Sequence, residues 1–148
     1  MLSGARRHAL LLLGLACVAA CTPAEPVSVT NAWVRMPAPG MSVAAGYFDI
    51  ANRRDTSIAL VGARSSAASS IELPTTERDG DLMRMRKLER VELAAGATAT
   101  FAEGGHHLML MHFNGVTTPT VPVTLLFADG FELTVPFEMR SINGATQP

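Results

Sequence analysis

Between positions 106 and 112 the chain reads His106-His107-Leu108-Met109-Leu110-Met111-His112, three imidazoles and two thioethers in seven residues. On an extended strand successive side chains alternate between faces, so His107, Met109 and Met111 share one face and Leu108 and Leu110 the other. Thioether with imidazole, and no thiolate, is a soft donor set suited to Cu(I). Met83 and Met85 repeat the alternate spacing on a second segment. Core packing is the other use of methionine, and Met36, Met41 and Met139 are read that way or as loop residues. Leu108 and Leu110 already supply a buried face, however, which leaves the thioethers on the face where Thr, Lys or Glu is usual. Residue types alone leave the ligand and packing readings both open.

The elements that must position these residues read as strands. Val27 to Arg35, Val43 to Ala51, Ser57 to Ala63, Ile71 to Leu73, Leu82 to Leu88 and Thr98 to Phe101 are short extended runs. Breaks fall at Met36-Pro37-Ala38-Pro39-Gly40, Asn52 to Asp55, Pro74, Asp79-Gly80-Asp81 and Ala94-Ala95-Gly96, residue types that stop strands or make turns. In Leu82 to Leu88, alternation sets Met83, Met85 and Lys87 against Arg84 and Arg86. Val121 to Phe127 and Phe131 to Met139 flank Asp129-Gly130, a strong hairpin signal. No window carries a helical period of comparable strength. About nine short strands at roughly ten-residue spacing imply an all-β Greek-key sandwich or small barrel.

Arg6, Arg7 and His8 followed by the apolar run from Ala9 to Ala20 form a secretory signal, too short to span a bilayer as a stop-transfer helix. The run closes on Val18-Ala19-Ala20-Cys21, which resembles the lipobox of bacterial lipoproteins. That resemblance implies cleavage before Cys21 and lipidation of its thiol. Thr22 favours the outer membrane by the sorting rule of the same proteins. The expected organisation is a signal over 1–20, a tether over 21–26, one β-domain over 27–140 and a short tail over 141–148.

Cys17 leaves with the signal and Cys21 is acylated on this reading, so the folded domain holds no thiol and no disulfide and depends on its core. Losing Arg6 and Arg7 makes the formal net charge of −1 two units more negative. A nucleic-acid binder would present a basic surface instead. A blue-copper electron carrier needs a cysteine thiolate, which the domain lacks. No nucleophile elbow or paired carboxylates stand out, and the chain is not expected to be an enzyme.

From Val27 to about Arg140 the chain resembles the PCu(A)C family of periplasmic copper chaperones. The matching segments are Asn31 to Arg35, Ala44 to Tyr47, Leu60 to Ala63, Ile71 to Leu73 and Gly104 to Leu110. The resemblance implies a cupredoxin-like fold and a motif of His, ten residues, Met, twenty-one residues and His-x-Met. Met85, His107 and Met109 fall in that register, with twenty-one residues between Met85 and His107. The first histidine does not: its position holds Pro74, which has no donor side chain. Met83, Met111 and His106 are auxiliary candidates. His106 and His112 lie on the opposite strand face by alternation, which makes them the weaker substitutes.

The resemblance implies a lipid-anchored, extracytoplasmic Cu(I) chaperone or buffer, monomeric, supplying copper toward the CuA site of a terminal oxidase. Its partner would be a copper-donating or copper-receiving metalloprotein. Pro74 keeps a second reading open at this point, a metal-free family member acting as a protein-interaction module.

Overall fold

The computed structural model describes residues 25–115 and 117–141. The signal segment, Cys21 and the tail past residue 141 lie outside them. Eleven strands make up the regular structure of the described residues: β1 (Val27–Arg35), β2 (Ala44–Asn52), β3 (Ile58–Arg64), β4 (Ser70–Glu72), β5 (Pro74–Asp79), β6 (Leu82–Lys87), β7 (Val91–Leu93), β8 (Thr98–Phe101), β9 (Leu108–Met111), β10 (Thr120–Phe127) and β11 (Glu132–Arg140). No helix occurs among the described residues. The all-β architecture is the one that the alternating pattern implied.

Seven strands close on themselves in the order β1-β11-β10-β3-β4-β9-β2, with β2 returning to β1; β8 extends from β2 and β7 from β3. Strand β2 makes this possible because it is long. One edge takes β9 along Ala44 to Gly46 and β8 along Phe48 to Ala51, while the other takes β1. A register shift between Thr30 and Trp33 bends β1, with Asn31 at φ +51°. Asn31 tolerates that left-handed conformation better than a branched residue would, and its Nδ2 donates to Asp49 Oδ2 at 2.7 Å.

Closure removes edges and creates an interior. Val121, Val123, Leu125 and Phe127 of β10 are buried at alternate positions, as are Leu108 and Leu110 of β9. Phe48 stacks on Phe101 with centroids 4.3 Å apart and meets the edge of Phe137 at 5.6 Å. The hairpin expected at Asp129-Gly130 joins β10 to β11. Its turn is held by the Phe131 amide donating to Asp129 Oδ1 at 3.0 Å, with Gly130 at φ +84°.

Two strands were not anticipated. Val91–Leu93 shows only one period of alternation, too short to read against background. It pairs with β3 and is tied in by buried Asn52, whose Nδ2 donates to the carbonyls of Leu93 and Ala94 at 3.1 and 3.0 Å. The other is β5. Pro74 marks the end of the extended pattern in the sequence, yet the strand begins on it and pairs with β6 as a two-stranded ribbon. Proline is admissible there because it opens the strand.

Candidate metal centre

Strand register brings the three motif residues onto one face. Met109 pairs with Glu72 across β9 and β4. The same register runs on past the end of both strands, because the His107 amide donates to the Pro74 carbonyl at 3.2 Å and the Thr76 amide to the Gly105 carbonyl at 3.3 Å. On the far side of β5, Pro74 pairs with Lys87 and Thr76 with Met85. Directly opposed residues share a face and alternate residues repeat it. Met85, Lys87, Glu72, Pro74, Thr76, His107 and Met109 therefore project from the same side. Met85 stands two strand spacings, about 10 Å, from the strand of His107 and Met109, in the row of Thr76 and Gly105, one row along from His107. Gly105, without a side chain, leaves the row of Met85 open.

His107 is the fixed point of this group. It is buried, and its Nδ1 lies 3.0 Å from the Gly105 carbonyl oxygen. A carbonyl only accepts, so Nδ1 carries the proton. In the neutral ring Nε2 then holds the free lone pair, the form in which imidazole binds a metal. A backbone carbonyl that sets the tautomer from behind is the usual outer partner of a ligating histidine. Tyr47 backs the ring, with centroids 6.3 Å apart, and itself packs at a 38° tilt against Trp33, centroids 4.6 Å apart. Arg35 Nη2 donates to the Tyr47 hydroxyl at 2.5 Å. Burial pushes the phenol's pKa up against the opposing pull of Arg35, so Tyr47 stays a neutral wall beside the imidazole.

The other donors are less enclosed. Met109 is half-buried; Met85 and Met83 are 64% and 57% exposed on β6. Met83 pairs with Arg78, one step farther along the face than Met85. Met111 pairs with Ser70, one step beyond Met109 in the other direction. His106 is not brought to the group. It faces the other way, 5.6 Å from the Phe101 ring, with its Nδ1 buried and unpaired. His112 is turned away at φ +48° and its Nδ1 contacts Ser69 Oγ at 3.0 Å. Among the described residues no cluster of three or more His, Cys, Asp or Glu is placed to hold a metal ion. What the face offers is one imidazole with the thioethers of Met85 and Met109 and, a step farther out on either side, those of Met83 and Met111.

Three partners of this face escape a reading by residue type. Tyr47 and the Gly105 carbonyl act on His107 from adjacent segments, and neither carries a local signal. Glu72 is the third: its Oε1 accepts from Lys87 Nζ at 3.0 Å, directly beside Met109. Its parity with Pro74 was the available clue.

The barrel has the cupredoxin-like fold of solved PCuAC domains. The copper-bound PCuAC domain from PmoF2 superposes with a TM-score of 0.65 at 20% identity, over 79% of this chain and 94% of that one. The chain belongs to the family described as "Putative lipoprotein LpqE-like", whose model matches residues 27–139. It is 34% identical to the protein described as "Putative lipoprotein Lxx21020" of Leifsonia xyli subsp. xyli, over 94% of this chain and 90% of that one. It is also similar to DR1885 from Deinococcus radiodurans. The apo form matches at 30% identity and TM-score 0.60 over 98% and 99% of the two chains, and the CuI form at 29% and 0.61 over 82% and 80%. These are lipoproteins and copper domains rather than enzymes, in agreement with the expectation from sequence.

Proposed function

We infer that this protein is a lipid-anchored, extracytoplasmic Cu(I) chaperone or buffer that carries copper on Met85, His107 and Met109. One observation carries the reading: the Gly105 carbonyl presents the His107 imidazole with Nε2 free, on the face shared with Met109 and Met85. The relatives support it, since DR1885 has been solved with CuI and the PmoF2 domain with copper. The donor set fits the cargo. Thioethers are neutral, bind Cu(I) in preference to harder ions and form no disulfide in an oxidising compartment. Partly exposed Met85 on a two-stranded ribbon leaves the copper reachable by an incoming ligand set, so hand-over needs only ligand exchange.

The finer parts of the reading are its destination and its address. Supply toward a CuA site in a terminal oxidase is what the family resemblance implies. The lipid anchor at Cys21 agrees with the lipoprotein family and the Leifsonia relative. The preference for the outer membrane, in a periplasmic setting, rests on Thr22 alone. One specific observation favours a second reading, a metal-free interaction module: Pro74 occupies the position of a motif ligand and is buried there. Competition titration of the mature chain with Cu(I) under reducing conditions separates the two. Chaperone and buffer require one tight equivalent that His107→Ala removes. Absence of binding leaves the interaction module.

A further inference from the structure

Glu72 is a carboxylate on the Met/His face. It is directly opposite Met109, two residues from Pro74 on the same side of the ribbon. Directly opposed side chains on a strand pair sit within contact range, so a change of rotamer would carry the carboxylate to a cation held by His107 and Met109. In the structure it goes the other way. Lys87, paired with Pro74 on β6, reaches across the proline and takes the carboxylate in an ion pair of 3.0 Å. The other acids of the ribbon are engaged elsewhere: Glu77 with Arg86 and Asp79 with Arg84, both in exposed pairs.

We propose that Lys87 is a selectivity residue, drawing the Glu72 carboxylate toward β6 and away from Met109 and His107 so that copper meets soft ligands alone. The proposal rests on the copper-site reading above and deepens it. Its chemistry is that of hard and soft donors. Carboxylate oxygen favours divalent, harder ions, whereas imidazole with two thioethers favours Cu(I). A face with Glu72 released would offer nitrogen and oxygen to Zn(II), and a parked Glu72 withholds the oxygen. The lock is a weak one, because Lys87 and Glu72 side chains are 66% and 38% exposed and pairs in such surroundings bind loosely. The expected effect is accordingly modest.

The test compares Zn(II) and Cu(I) affinities of the mature chain by chelator competition, Cu(I) under reducing conditions and Zn(II) separately. Four proteins are compared: wild type, Lys87→Ala, Lys87→Ala with Glu72→Gln, and Arg78→Ala. Arg78 supplies a cation on the same face without contacting Glu72, and so controls for loss of positive charge. Lys87→Ala should raise the ratio of Zn(II) to Cu(I) affinity by about three- to fivefold, the upper part of the range that releasing a weak ion pair permits. Adding Glu72→Gln should return the ratio to the wild-type value, and Arg78→Ala should leave it within twofold. X-ray absorption of the Zn(II)-loaded Lys87→Ala protein should show one more light scatterer than the double variant. A ratio unchanged in Lys87→Ala, or a shift that survives Glu72→Gln, overturns the proposal. Failure of the site itself is read separately: it shows as His107→Ala binding Cu(I) as wild type does, or as wild type binding none.

Discussion

Pro74 and His107 face each other on one rung: the His107 amide donates to the Pro74 carbonyl at 3.2 Å, and proline has no N–H with which to return the bond. On the proposed copper-site reading, the position that the resemblance aligns with the motif's first histidine thus lies beside His107. A histidine at 74 would stand next to His107 on the same face and add a second imidazole to the proposed donor set. Pro74→His should therefore tighten Cu(I) binding by about tenfold or more, the scale on which supporting groups of a metal site act. A histidine at exposed Thr98, on β8, should not. Loss of the proline relaxes the unfolded chain, so affinities are compared on protein shown to be folded by circular dichroism.

His107→Ala should abolish Cu(I) binding in the wild-type and Pro74→His backgrounds alike. His112→Ala should change it less than twofold, because that ring turns to Ser69 instead of the donor face. Equal losses from both substitutions would mean that copper sits elsewhere.

Cu(I) should outcompete Zn(II), since Met85 and Met109 are soft neutral donors and His107 is the one strong ligand for harder ions. Competition against a chromophoric chelator measures this directly. Equal affinities would rule out a methionine-based site.

Replacing Cys21 with Ser should release the protein from membranes into the soluble extracytoplasmic fraction. Persistent detergent dependence of that variant would place the attachment elsewhere than a lipidated Cys21.

Asn52 supplies a stability test away from the site. Its buried side chain donates to the carbonyls of Thr56, Leu93 and Ala94 and accepts from the Arg54 amide. Asn52→Ala strands these groups, at about 1–3 kcal/mol for a buried carbonyl left unsatisfied. Denaturant unfolding should show the loss with Cu(I) binding to the folded protein unchanged. Leu108→Ala should cost about 2–5 kcal/mol by leaving a cavity under β9.

The sequence alone determined the all-β class, the hairpin at Asp129-Gly130, the buried parity of Leu108 and Leu110, and the common face of His107, Met109 and Met111. These follow from side-chain alternation and turn chemistry, which are local. It also placed Met85 and Lys87 on one face of their own segment. Only the tertiary structure decided what stands beside what. Pro74 reads locally as a strand breaker, yet it opens β5, because the ribbon's register is set by partners on either side: Lys87 on one and His107 on the other. The tautomer of His107, the Tyr47 wall and the Lys87–Glu72 pair likewise join residues distant in the chain. Alternation tells which way a side chain points, whereas register, which depends on pairing between segments, tells what it meets there.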